Sequence, residues 1–436
     1  MTGSATSQVR GGAPVHAPQN PAVVPIYQTA AYAFESWEAA RDIFALRRSG
    51  NLYSRTGNPT QTLLEQRIAE LDGGVAALGT ASGQSAVAIA LLALAAPGGH
   101  IVAGSGLYGG TVDLLTDTLP DLGITATLVD QDDPQAWRAA IEPGTRALLV
   151  ESIGNPTSAV PDLDAIAQIA KEAGVPLVVD NTVATPALLR PIEHGADIVV
   201  YSATKALGGH GTSLGGLIVD LGTFDFGAQP ERWPQLTEPY ARVGDVVLWE
   251  RFGRERSAFL VLAKTRWSHD LGPALSPYNA QQILIGIETL DLRVQRQSAT
   301  AREIAAHLHA HPHVARVHHP SVPGNPYADA AARLLPHGTG GVFSFEPAGG
   351  FDAVPAIVDA LTHFTLAANI GDARSLVIHP STTTHSHLTD AQLELAGFTR
   401  ATIRLSIGLE TPADLIADLD RALALAHEAA LITTDA

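Results

Sequence analysis

From about residue 75 onward, short runs of β-branched residues alternate with amphipathic stretches of roughly 10 to 15 residues. A chain with that rhythm is largely restricted to a mostly parallel sheet with helices on both faces. The runs His100–Ala103, Ile124–Val129, Ala147–Val150, Leu177–Val179, Ile198–Tyr201 and Gly216–Val219 read as strands, and Leu163–Ala173 carries the 3.6-residue period of a helix. Together they describe a doubly wound α/β domain. Upstream, Ser36 can cap a helix running through Arg48, and Asn58-Pro59 can open another, with proline where its missing N–H costs nothing. The 436 residues exceed what one hydrophobic core usually serves. The expected division is an arm over 1–55, a large domain over 56–264 and a smaller α+β domain over 265–436. Within the smaller domain a single long helix is expected over Asn279–His309 and a closing helix over Pro412–Glu428. Only the first dozen residues are biased enough to read as disordered.

Composition removes several function classes. Cysteine is absent, so disulfides, thiolate metal sites and cysteine nucleophiles are excluded. A net charge of −17 argues against nucleic acid or an anionic membrane as partner, since both are bound by clustered Lys and Arg. Hydrophobic residues make up 46% but never fill a span of ~20, so no transmembrane helix is expected. Met1–Pro25 lacks the basic start and apolar block of a signal peptide, which makes the cytoplasm the expected location.

In open α/β sheets ligands sit outside the carboxyl ends of the strands. Here Ala147–Val150 runs into Glu151, Leu177–Val179 into Asp180-Asn181-Thr182, and Ile198–Tyr201 into Ser202-Ala203-Thr204-Lys205. All should face one crevice. The turn Gly79–Gln84 opens a helix over Ser85–Ala95, whose free N–H groups would hold a phosphate at Ser82, Gly83 and Gln84. Ser202 and Thr204 could add hydroxyls to that anion. A lysine able to form a Schiff base, an acid for a pyridine nitrogen, a phosphate cup and a flat ring are the parts of a pyridoxal-phosphate (PLP) site. Lys205, Asp180, the Ser82 turn and Tyr108 supply one of each. A lone aspartate at a strand end is as readily a helix cap or a metal ligand, and a lysine after a strand is usually a solvated charge. Their convergence, with Gly208-Gly209-His210-Gly211 following the lysine, favours the cofactor.

Tyr201–Lys205 with that glycine loop resembles the lysine motif of the Cys/Met-metabolism PLP enzymes, a family of γ-synthases, γ-lyases and sulfhydrylases. The resemblance extends over Tyr53-Ser54-Arg55, Asn58-Pro59-Thr60, Ser82-Gly83-Gln84, Leu107–Thr111, Asn155-Pro156, Asp180-Asn181-Thr182 and Arg404–Gly408. It implies a type I aminotransferase-like fold and a homotetramer in which Tyr53 and Arg55 reach the cofactor phosphate of a neighbouring subunit. It also implies that Arg404 clamps the substrate carboxylate, a role that suits a planar guanidinium. Asn155, Ser375 and Tyr53 join it as substrate contacts, and Asn155 and Thr182 become cofactor contacts.

Within the family, Asp180–Pro186, Arg190–Asp197, Ser381–Ser386 and Gln84 look most like the O-acetylhomoserine sulfhydrylases, implying γ-replacement on an amino acid with sulfide. Gly110 stands where methionine γ-lyases typically carry cysteine. Two departures stand out: Tyr201 occupies a position where sulfhydrylases often have His, and Phe224–Leu271, a region expected to shape the pocket mouth, looks shortened.

Two rival motifs are weaker. Gly104–Gly109 matches the dinucleotide fingerprint G-x-G-x-x-G, but a βα unit precedes it, and an NAD site leaves Lys205 and Asp180 unexplained. Gly211–Gly215 matches a serine-hydrolase elbow by letters yet precedes a strand rather than following one. The alternating His307, His309, His311 and His313 read as solvated surface, splayed by a helix end and a proline, with no metal site.

Overall fold

The computed structural model describes residues 3–12, 20–386 and 388–434. Its large sheet has seven strands: β1 (Ala76–Thr80), β2 (His100–Gly104), β3 (Thr125–Val129), β4 (Thr145–Glu151), β5 (Leu177–Asp180), β6 (Ile198–Ser202) and β7 (Gly216–Asp220). Their order is β1-β7-β6-β5-β4-β2-β3. Every pairing from β3 across to β6 is parallel. Strand β7 runs against both neighbours. A parallel return needs a crossover, usually a helix, and residues 203–215 provide only a loop. The segment that carries Lys205 therefore also reverses the chain.

Burial on both faces explains the unbroken apolar runs of these strands. Along β4, Leu148 and Val150 enter one core while Ala147 and Leu149 enter the other, all fully buried. Each large apolar side chain so placed stabilises the fold by roughly 1.5–3 kcal/mol. That sandwich fixes where the strand ends point.

A smaller sheet holds β8 (Val314–His318), β9 (Val342–Pro347), β10 (Thr365–Leu366), β11 (Leu376–Ile378) and β12 (Ile403–Ser406), in the order β8-β9-β12-β11-β10. The helices Leu290–His309 and Pro412–Thr434 cover it through Ile304, Leu308, Leu415 and Leu419.

Several expectations are corrected. The single helix expected over Asn279–His309 is two, Pro277–Ile287 and Leu290–His309, broken at Glu288-Thr289. Arg293 explains the break: its guanidinium donates to the carbonyls of Ala206 and Gly286, and its Nε to Thr289 Oγ1. The first helix packs on the large core through Ile283 and Leu284, and the second reaches the small one. Ser36 caps a helix as read, but it ends at Phe44 rather than Arg48. The first dozen residues, read as disordered, contain the helix Ser4–Arg10. Seven residues would not hold a helix alone. Glu70 fixes this one by accepting from Ser7 Oγ at 2.8 Å and from Gly12 N at 2.9 Å.

Of the histidines read as splayed, His307, His311 and His313 gather instead. His307 and His311 both face Asp420 Oδ1, at 2.6 and 3.7 Å, and His313 stacks on His427 with ring centroids 4.0 Å apart. His427 lies on the closing helix, which sequence spacing alone does not bring near. Among the described residues no helix is long and apolar enough to cross a membrane.

Candidate active site

The parallel ladder places Glu151 beside Asp180 in register, with Asp180 beside Val200. The ends of β4, β5 and β6 thus open into one cavity of about 620 Å³. Ser82, Gly83, Gln84, Tyr108, Asn155, Asp180, Thr182, Ser202, Thr204, Lys205 and Arg404 all line it. Eleven of the expected site residues therefore meet although they span residues 82 to 404.

The helix Gly83–Leu94 begins at this cavity, capped by Ser82, whose hydroxyl accepts from Ser85 N at 3.2 Å. The first-turn N–H groups of Gly83 and Gln84 have no partner further back in the helix. Glycine is required at 83, because a Cβ there would lie 2.5 Å from Ser202 Cβ. The closeness brings the helix start and the Ser202 hydroxyl to the same point, a cradle for an anion.

Asp180 is held by Thr182, whose N–H and hydroxyl both donate to Oδ1, at 3.0 and 2.5 Å. The same hydroxyl accepts the Ser202 N–H at 2.8 Å and so ties β5 to β6. Burial raises the Asp180 carboxyl above its ordinary range against the pull of those two donors. Glu151 is raised further, by burial and by Asp180 beside it. A cation placed between ring and strand ends would relieve the Asp180 charge, which suits a protonated pyridine nitrogen.

Lys205 donates to Asn369 Oδ1 at 2.7 Å. Burial, then the nearby Arg404 charge, lower its amine to about 8. A partly neutral amine in a concave site is what a Schiff-base lysine needs. Arg404, 4% exposed on the central strand β12, donates to Asn155 Oδ1 at 3.2 Å and to the Asn369 carbonyl at 3.0 Å. Among the described residues its buried Nε has no partner. No carboxylate is among those acceptors, so this buried cation is prepared for an anion from outside.

Three expected residues lie elsewhere. Tyr53 and Arg55 face a separate concavity with Gln28 and Ser276, and the Arg55 guanidinium donates to the His269 carbonyl. Ser375, expected among substrate contacts, does not line the cavity: its N–H and hydroxyl both bond to Glu410, each at 2.8 Å. No residue of 224–271 lines it either. That stretch instead packs Phe224, Phe226 and Trp233 edge to face, 4.8 to 5.3 Å apart, on the far core. The sequence reading missed Asn369, which bridges Lys205 and Arg404, and gave Glu151 no role. Asn369 sits in a loop between two short strands, where no periodicity marks it.

A family model for Cys/Met metabolism PLP-dependent enzymes matches residues 5–424. The chain belongs to that family. It is 46% identical to an O-acetyl-L-homoserine sulfhydrylase of Leptospira meyeri over 92% of each chain, and 43% identical to a homocysteine synthase of Schizosaccharomyces pombe over 97% of this chain and 98% of that one. A crystal structure from Campylobacter jejuni, described as an O-acetylhomoserine (thiol)-lyase with a pyridoxyl-lysine monophosphate, superposes with a TM-score of 0.92 at 37% identity. It covers 97% of this chain and 100% of its own. The fold is therefore that of the type I PLP enzymes and the cofactor is PLP, so the dinucleotide and hydrolase readings fall away.

Proposed function

We propose that this enzyme converts O-acetyl-L-homoserine and sulfide into L-homocysteine and acetate. One observation carries the reading most directly: the buried Arg404 guanidinium, without a carboxylate partner among the described residues, shares Asn369 with the candidate cofactor lysine. An α-amino acid has the two groups this arrangement lacks. Its carboxylate would pair with Arg404, which places its amine and Cα toward Lys205. Relatives named for O-acetylhomoserine and for homocysteine supply the substrate class.

In this reading Lys205 holds the cofactor, Asp180 faces the pyridine nitrogen, Tyr108 backs the ring, and Ser82, Gly83, Gln84, Ser202 and Thr204 surround the phosphate. When bound, PLP withdraws electrons from the substrate Cα and, through it, acidifies Cβ, which makes loss of both protons feasible. Lys205, once its amine is free, would move the Cα proton and then a Cβ proton. Its lowered basicity suits it to both directions of transfer near neutral pH. Acetate leaves from Cγ, and sulfide adds there.

The test is an assay of purified protein with O-acetylhomoserine, O-succinylhomoserine, cystathionine and methionine, each with and without sulfide. Homocysteine should form fastest from O-acetylhomoserine with sulfide. Rapid methionine cleavage, with acetylhomoserine ignored, would replace the sulfhydrylase reading with a lyase.

The arm over 1–55, the cofactor unit over 56–264 and the unit over 265–436 form, in the same proposal, one subunit of a cytoplasmic homotetramer. Tyr53, exposed, and Arg55, half-buried, both off the Lys205 cavity, would complete a neighbour's phosphate site. Mixing Arg55→Ala with Lys205→Ala subunits should then restore some activity by pairing an intact arginine with an intact lysine. Verified mixed oligomers that stay inactive would refute the shared site.

A further inference from the structure

Tyr108 forms the flat wall of the cavity, yet the residue is 46% exposed, so packing alone does not fix the tilt of its ring. The backbone beneath it does. Glu151 Oε1 accepts the Tyr108 N–H at 2.6 Å, and the Gln84 side-chain amide donates to the Gly110 carbonyl at 2.7 Å. Between these anchors the ring lies across Gly110, where a Cβ would stand 2.7 Å from Tyr108 Cε1 and 3.4 Å from Gln84 Oε1. A small movement of either anchor moves the ring.

Glu151 reaches further than Gln84. It ends β4, is 6% exposed, and its charge is also eased by the Asn155 backbone N–H. Asn155 in turn accepts from Arg404. One carboxyl thus joins the loop after β2, which carries the ring, to the loop after β4, which holds the guanidinium.

We propose that Glu151 is a positioning residue that sets the tilt of Tyr108 and keys it to Asn155 and Arg404. The inference rests on the reading of Tyr108 as the ring platform. Its consequence is specific: Glu151 acts on the chemistry through Tyr108, whereas a carboxyl that only satisfies two loops would affect folding without regard to Tyr108.

Two variants separate these roles. Glu151→Leu removes the carboxyl altogether, and Glu151→Gln keeps one acceptor oxygen in place of two. In apoprotein, hydrogen exchange at the Tyr108 amide should quicken by about 10-fold or more in Glu151→Leu and by a smaller factor in Glu151→Gln. In holoenzyme, Glu151→Gln should lower kcat for O-acetylhomoserine about 10-fold with KM within about threefold, and should alter the circular dichroism of the bound cofactor. In a Tyr108→Ala background the same substitution should cost less than about twofold.

Unchanged exchange at Tyr108 in folded Glu151→Leu, or in Glu151→Gln if the leucine variant does not fold, overturns the proposal. So does a kcat loss that multiplies in full on Tyr108→Ala. Borohydride reduction of wild-type holoenzyme keeps the two readings apart. If it marks Lys205 with a pyridoxyl group while either overturning result is found, only the Glu151 role falls; if it leaves Lys205 unmarked, both fall.

Discussion

Glu151, Asp180 and Ser202 stand at the ends of three adjacent strands of the large sheet, while Asn369 and Arg404 approach them from the smaller sheet. The first group is placed by ladder register and by a core buried on both faces. The second meets it through hydrogen bonds of single side chains, Lys205 to Asn369 and Arg404 to Asn155. Position is thus fixed by backbone on one side of the cavity and by a few polar contacts on the other. The cofactor side should tolerate little change in chemistry but much in surrounding packing. The substrate side should depend on the geometry of individual donors.

The largest effect expected falls on the backbone-placed side. Lys205→Ala should abolish turnover and leave no pyridoxyl group fixed on the protein by borohydride. A mark found by mass spectrometry on a peptide without Lys205 would assign the cofactor elsewhere. Next comes the substrate side. Arg404→Lys keeps the charge but loses the paired, planar donors, so kcat/KM for O-acetylhomoserine should fall by about 100- to 1,000-fold while cofactor absorbance is retained. A loss below about tenfold would mean that Arg404 is not the carboxylate clamp.

A third test compares the sides through pH. The Lys205 amine, lowered to about 8 by burial and by Arg404, would capture the cofactor only in its neutral form. The rate of reconstitution of apoprotein with PLP should rise about tenfold per pH step below that value and then level off. In Arg404→Leu one of the two causes is gone, and the levelling point should move to higher pH. A profile still rising at pH 10 in the wild type would show an ordinary solvated lysine.

The strand-end half of the site was legible because an apolar run that stops at a single polar residue is visible in one dimension. Asp180 and Ser202 are such residues, with Lys205 three positions further on, and Glu151 is another, though its contact with Tyr108 depends on a neighbouring loop. The other half was not legible by pattern. Arg404 lies on a strand where an arginine ordinarily reads as surface, and family likeness alone marked it; the structure buries it. Asn369 has no periodic signal, since its importance arises only when the loop before β11 meets the loop after β6. The reversal of β7 was likewise hidden: length does not distinguish a loop from a crossover, and residues 203–215 contain no helix. The histidine cluster needed His427, more than a hundred residues from His313.

The smallest effect expected concerns a charge behind the rigid side. Tyr201, buried on β6, donates to Asp72 Oδ1 at 2.7 Å and accepts from Asn181 Nδ2 at 3.0 Å. Asn181 directly follows Asp180, so this network braces the acid from the rear. The second oxygen of Asp72 has no partner among the described residues, and burial raises its carboxyl to about 7 from an ordinary 3.8. A group that holds its proton more tightly when folded contributes stability fully present below the unfolded value. That contribution is lost as pH rises through the folded value. Stability from this site should therefore decline between about pH 4 and pH 7, by at most roughly 4 kcal/mol. Asp72→Asn keeps a carbonyl oxygen for the Tyr201 hydroxyl and carries no charge. It should raise the melting temperature by ~2–4 °C at pH 8, with the gain shrinking toward pH 4. Cofactor binding should not change, because Asp72 does not line the cavity. A variant no more stable at pH 8 than at pH 4 would place the Asp72 proton outside this balance. A loss of cofactor would instead mean that the brace behind Asp180 tunes the site as well as supporting it.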